Sequence, residues 1–143
     1  MSISYSLLSS PLEIAQVIRL QQDNLPQNLT EHQKVSQGFV TLQHSYELLE
    51  RINQKYPSVI ASSQGELEGY CLTMTKEFEE DFPVLSPMFA LMSEKIFKGR
   101  VLADYNYMHC GQVCVAAKFR GQGVFDTLYQ HFQEKYSPSF EVL

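Results

Sequence analysis

Apolar positions alternate from Ile3 to Leu8, and Ser9-Ser10-Pro11 then supplies a capping hydroxyl and a first-turn proline. That order predicts a short opening strand followed by a helix. Leu12, Ala15, Val17, Ile18 and Leu25 give the helix one apolar face, and Asn24, Pro26 and Asn28 end it. From Gln27 to Gln43 the pattern turns polar and irregular, with Gly38-Phe39-Val40 reading either as a brief strand or as a loop anchor. Ser45 is placed to cap a second helix, in which Leu48, Leu49, Ile52 and Tyr56 share a face before Pro57 closes it.

The period then changes. Ser58 to Ser62 and Leu67 to Thr75 are short strand-like runs around Gln64-Gly65-Glu66, which predicts a hairpin and so an antiparallel pair. Lys76 to Gly99 holds the acidic run Glu77-Phe78-Glu79-Glu80-Asp81 and an amphipathic segment with Met88, Phe89, Leu91, Met92, Ile96 and Phe97. A further strand runs from near Tyr107 to Ala116, passes through a glycine-rich turn, and enters a helix striped by Val124, Phe125, Leu128, Tyr129, Phe132 and Tyr136. Ser139 to Leu143 begins another strand. This order defines an α+β fold with a mixed, mostly antiparallel sheet flanked by helices.

Composition narrows the class. A chain of 143 residues, 44% hydrophobic and 19% charged, reads as one globular domain spanning 1–143. A net charge of −5 argues against nucleic acid as partner and suits a cationic amine. No apolar run approaches membrane-spanning length and the first residues lack a basic leader, so we expect no membrane partner and a cytoplasmic location. Cys71, Cys110 and Cys114 are odd in number and lie in apolar strand patterns, which favours reduced thiols. His32, His44, His109 and His131 have no ligand spacing, so no metal is expected.

The most informative stretch is Val113 to Phe125, VCVAAKFRGQGVF. In Arg120-Gly121-Gln122-Gly123 the glycines remove Cβ atoms that would hold a ligand away, and the helix behind them presents unpaired N–H groups and the positive end of its dipole. Such a turn either binds an anion, for which a diphosphate fits, or is an ordinary strand-to-helix connection that contains glycines. Walker A is excluded because no Gly-Lys-Ser/Thr ending is present, and GxGxxG fails because Asp126 stands at the third glycine.

What remains resembles the signature of the GNAT (GCN5-related) N-acetyltransferases, Q/R-x-x-G-x-G/A, with Arg120 first, Gly123 fourth and Phe125 in place of the last Gly or Ala. Phe125 either crowds the pyrophosphate or points into the core as the first helix anchor; its place in the apolar stripe favours the core. The element order matches the family across nearly the whole chain. The family usually continues past this point, so the ending Phe140-Glu141-Val142-Leu143 leads us to expect a C-terminally shortened acyl-CoA N-acyltransferase fold that covers its sheet edge in a homodimer, with the Met88 to Phe97 segment as an added contact.

The resemblance implies acetyl-CoA as cosubstrate and an amine acceptor, with direct acetyl transfer. It places the pantetheine arm along Val113, Cys114 and Val115, and the diphosphate on the backbone of Gly121, Gln122, Gly123, Val124, Phe125 and Asp126. Arg120 adds charge there or stays solvated, as does Lys118. A general base on this strand in the histone-acetylating branch corresponds to about His109, which either accepts a proton or packs. In a regular strand His109, Gly111, Val113 and Val115 share one face and Cys110, Gln112 and Cys114 the other. Tyr107, with Tyr105, either orients the amine or packs. Cys114 reads as buried packing rather than a nucleophile. The acidic run at 77–81 either attracts a cationic amine or forms a solvated face. A catalytically silent CoA-binding or interaction module is the alternative to the enzyme.

Overall fold

The computed structural model describes residues 2–37 and 42–143, so Gly38-Phe39-Val40 lies outside the described residues. The elements are β1 (Ser4–Leu7), α1 (Pro11–Asp23), α2 (Glu31–Gln37), α3 (Tyr46–Lys55), β2 (Val59–Ser63), β3 (Glu66–Met74), α4 (Ser86–Ser93), β4 (Ile96–Phe97), β5 (Arg100–Val101), β6 (His109–Val115) and α5 (Val124–Tyr136), joined in places by single 3-10 turns.

The helix starts follow from local side-chain chemistry. Ser10 Oγ accepts the Glu13 N–H at 3.1 Å while Glu13 Oε1 accepts the Ser10 N–H at 3.2 Å, a reciprocal pair that satisfies two donors at the start of α1. Ser45 Oγ does the same for Leu48 N–H at 3.2 Å. The segment expected to be irregular contains α2, and Thr30 and Gln33 form the same reciprocal cap at 2.9 and 3.1 Å. The Thr-x-x-Gln spacing was visible in the sequence, but the lack of an apolar stripe hid the helix.

Four strands form one antiparallel sheet in the order β1-β2-β3-β6. The β2–β3 hairpin turns at Gln64 and Gly65, whose φ of 53° and 79° match the twist of the flanking strands. After α5 the chain returns to the sheet: Tyr107 and Val142 form a parallel bridge, and Met108 N–H donates to Val142 O at 3.0 Å. The expected strand at 139–143 therefore joins as a single parallel bridge just ahead of β6.

Helices cover both faces. α1 and α3 bury Ile14, Val17, Leu20 and Leu49 against Ile60, Tyr70 and Leu72, while α5 buries Val124, Leu128, Phe132 and Tyr136 against Val59, Ala61, Cys71 and Val115. α5 approaches closely where β3 carries Gly69, since a Cβ there would lie 3.4 Å from Leu128 Cδ1 and 3.5 Å from Val124 Cγ1. A third cluster joins Ile52, Met74, Phe78, Phe82 and Phe89 beneath α4.

Two expectations are corrected. Phe125 does not anchor the core: it is 52% exposed, because the buried stripe runs Val124, Leu128, Phe132, Tyr136 and Phe125 stands one residue, about 100°, around the helix from it. The amphipathic segment 88–97 is divided between a helix and a hairpin, so its apolar residues do not share one buried face. α4 ends at Ser93 with Phe89 as its buried residue, and Ile96 and Phe97 belong to a solvent-facing hairpin turned by Lys98 and Gly99, both at positive φ. Ile96 is 74% exposed.

Candidate functional site

β6 is the last strand of its sheet, and among the described residues no strand lies along its outer edge from 109 to 115. Backbone hydrogen bonds set which groups face that edge. Ala116 N–H donates to Glu68 O at 2.7 Å, so by antiparallel alternation Cys114 and Gln112 turn their backbone groups toward β3, while Val113 and Val115 turn theirs outward. Arg120 Nε donates to Val115 O at 2.9 Å from that outer side. Cys114, expected among the edge residues, thus has its backbone facing β3 and its thiol buried against the α1 face of the sheet. Burial raises that thiol's pKa, which suits packing rather than nucleophilic chemistry.

The turn after β6 follows its glycines. Gly121 and Gly123 have φ of 76° and 80°, where side-chain-bearing residues are strained, and a Cβ on either would point into open space. Gly123 is the N-cap of α5 and has no side chain to satisfy the first N–H groups, so those of Val124, Phe125 and Asp126 face outward along the helix axis. Thr127 secures the turn through N–H and hydroxyl bonds to Gly123 O at 3.1 and 2.9 Å. Gln122 Nε2 donates back to Lys118 O at 3.2 Å.

Both cations near the turn are engaged. Arg120 Nη2 donates to Asn24 Oδ1 at 2.7 Å, tying the turn to the end of α1, and Lys118 pairs with the buried Glu68 at 3.0 Å. An open cleft of about 450 Å³ lies between the end of α1 and residues 116–120, with Asp23, Asn24, Gln33, Lys118 and Arg120 on its walls.

At its other end β6 carries a bulge. Leu72 pairs with Gln112 and Thr73 with Cys110, leaving Gly111 as the extra residue; a Cβ there would meet Met74 Cβ at 3.1 Å. The bulge reverses the expected alternation. Cys110 shares the α5 face with Val113 and Val115, while His109 turns to the other face and sets its ring edge-on to Phe89 at 5.2 Å. Tyr107, two residues earlier, stays with His109, their ring centres 5.7 Å apart. His109 Nε2 and the Tyr107 hydroxyl are both buried and have no hydrogen-bond partner among the described residues. Burial holds the imidazole below the usual histidine range and raises the Tyr107 phenol, which Glu79 raises further. Two neighbouring polar atoms left unpaired in this way are costly in a core.

A buried polar network adjoins this strand, and sequence patterning did not reveal it. Gln21 Nε2 donates to Gln112 Oε1 at 2.8 Å and to His44 Nδ1 at 2.9 Å, and Gln21 Oε1 accepts the His44 N–H at 2.7 Å. Tyr70 OH donates to Gln112 Oε1 at 2.6 Å, and Gln112 Nε2 donates to Leu42 O at 2.9 Å. Every amide atom of Gln21 and Gln112 is satisfied, which fixes the loop before α3 across the face of β6. Among the described residues no group of three His, Cys, Asp or Glu could hold a metal ion, and no helix is long and apolar enough to cross a membrane.

This sheet, with its parallel return after α5 and the glycine turn into α5, has the GNAT acyltransferase fold. The chain is similar to two ribosomal-protein alanine N-acetyltransferases, from Brucella melitensis (TM-score 0.55, 15% identity, all of this chain and 78% of that one) and Escherichia coli (TM-score 0.54, 10% identity, 94% of this chain and 59% of that one). It is also similar to an aminoglycoside acetyltransferase from an uncultured soil metagenomic sample (TM-score 0.50, 14% identity, 96% of this chain and 74% of that one). The chain thus spans 59% of the Escherichia coli enzyme's length. No family model and no curated protein matches the sequence.

Proposed function

We propose that the chain is an acetyl-CoA-dependent N-acetyltransferase that passes an acetyl group directly to a primary amine of a small molecule or protein. The observation carrying this reading is the continuity of the open β6 edge, the left-handed glycine turn and the uncapped start of α5, on a fold shared with N-acetyltransferases. Acetyl-CoA supplies the activated thioester. The outward N–H and C=O of Val113 and the N–H of Val115 hydrogen-bond its amide arm as an added strand would, and a strand N–H polarises the carbonyl where charge develops. Gly121, Gln122 and Gly123 let the backbone approach the diphosphate, and the N–H groups of Val124, Phe125 and Asp126 receive it. Arg120, held at the end of the strand, adds positive field rather than a free side chain.

His109 is the general base of this reading. Its lowered pKa keeps the imidazole neutral at pH 7, and Nε2, buried and without a hydrogen-bond partner among the described residues, takes the proton of the acceptor amine; the Tyr107 hydroxyl orients that amine. Replacing His109 by Gln is expected to lower kcat by about 10²-fold or more with acetyl-CoA affinity unchanged. In the unaltered chain the acid limb of the pH–rate profile should fall below pH 6.5, because the proton-accepting form persists to a lower pH than for a free histidine. A limb above pH 7, or an unaffected kcat, removes His109 from the mechanism.

The reading as a whole is tested by thermal shift with acetyl-CoA and then an amine panel. At about 100 times Kd, ligand binding stabilises the folded state by about 2.7 kcal/mol, so a clear rise in Tm is expected and its absence at millimolar acetyl-CoA defeats the proposal. Binding without turnover on any amine would favour the silent CoA-binding module, a reading supported by the exposed Phe125 ring beside the turn. The exposed apolar side chains Val84, Leu91, Ile96 and Phe97 support a homodimer. Light scattering should show mass falling on dilution, and a concentration-independent monomer rejects the dimer.

A further inference from the structure

The three cysteines are free thiols, and two of them meet. Cys71 on β3 and Cys110 on β6 lie 3.1 Å apart at sulfur, on the face covered by α5. The Gly111 bulge brings this about: it sets Cys110, instead of Gly111, opposite Thr73, and so diagonal to Cys71 on the same side of the sheet. Disulfide formation needs the sulfurs to close only to about 2.05 Å, so a shift of about 1 Å suffices.

The two thiols are unequal. Cys71 is fully buried and Cys110 is partly exposed. The contact with Cys71 holds the Cys110 thiol below its ordinary range against the effect of burial, while Cys71 is pushed up by its bond to Cys110 and by burial. Ionisation therefore falls on Cys110, the more exposed of the two residues, with a protonated thiol in contact beside it. Cys114, on the opposite face of β6, is a third thiol set apart from the pair.

We propose that Cys71 and Cys110 form a two-cysteine oxidation site that reacts with small hydroperoxides and closes a disulfide between β3 and β6. The Cys110 thiolate attacks the distal oxygen of the hydroperoxide and breaks the O–O bond; sulfur loses two electrons to become a sulfenic acid, and the other oxygen leaves with a proton as water or an alcohol. Cys71 sulfur then attacks the Cys110 sulfur and displaces hydroxide, which takes the Cys71 proton and leaves as water. Two thiols and one hydroperoxide thus give one disulfide, one water and the alcohol or second water.

The test treats the full chain with hydrogen peroxide, then denatures and alkylates it without reduction for mass spectrometry. Three alkyl groups should attach before treatment and one after, on Cys114, with Cys71 and Cys110 recovered in one cross-linked peptide two hydrogens lighter. The pair should react at least about tenfold faster than Cys114. In Cys71→Ser the reaction should stop at a Cys110 sulfenic acid that dimedone traps. Three alkylatable cysteines after treatment, or first oxidation at Cys114, would overturn the proposal. The unaltered chain carries the decisive measurement, so poor folding of a variant cannot mask the answer.

Discussion

Gly123→Val is expected to weaken acetyl-CoA binding by about tenfold or more in calorimetry while the fold persists. Two effects act at this position and they can be separated. The backbone sits at φ 80°, and a left-handed conformation costs a side-chain-bearing residue about 1–2 kcal/mol. A Cβ at Gly123 meets no protein atom within 4 Å, so it projects where the diphosphate is proposed to lie. Gly65 gives a matched control, since its φ is 79° and its surroundings are equally open, but it turns the β2–β3 hairpin. Gly65→Val and Gly123→Val should therefore lose similar stability in urea, and only the second should lose affinity. Equal affinities in the two variants would remove the turn from the binding site.

The fold was largely legible because its signals are local. Ser10 with Glu13, Ser45 and the Gln64-Gly65 turn each announce their element with a side chain or a backbone requirement, and the β6-to-α5 turn does so with Gly121 and Gly123. The misreadings came where tertiary position decides. Nothing in strand alternation marks Gly111 as a bulge, because the requirement is the approach of Met74 from another strand; with the bulge missed, His109 and Cys110 fall on the wrong faces. Phe125 was assigned by hydrophobicity to a face that its angle on the helix does not reach. The Gln21–His44–Gln112 network joins residues 23 or more positions apart and has no periodic signature. Ile96 and Phe97 fall in the amphipathic segment by hydrophobicity alone, whereas Lys98-Gly99, next in the chain, turns them into a hairpin.

That network carries the second large effect, a dependence of stability on pH. His44 is 3% exposed, its ring edge-on to Phe82 at 5.0 Å, and its Nδ1 accepts from Gln21 Nε2, so the folded chain holds it neutral. Burial pushes its pKa down to about 4 from 6.5. The unfolded chain takes up a proton near pH 6.5, whereas the folded chain resists until about pH 4. Between these values the unfolded state binds more protons, so stability falls as pH drops through that window and levels off below it. A shift of this size corresponds to about 3 kcal/mol. Protonation would also set an N–H against the Gln21 amide donor, so the proton costs a hydrogen bond as well as desolvation. His109, also depressed by burial, adds to the slope with the same sign, so the measurement is a difference. In His44→Asn, Oδ1 stands close to the position of Nδ1 and still accepts from Gln21 but does not titrate. Urea midpoints at pH 7 should be lower in the variant, because the smaller side chain leaves space beside Phe82, yet its stability should change much less between pH 6.5 and 4. Parallel pH curves would show that His44 is not the titrating group. Because Gln21 passes from His44 to Gln112 on β6, acid should loosen the loop before α3 and the strand together, and acetyl-CoA affinity should decline over the same interval in the unaltered chain more than in His44→Asn.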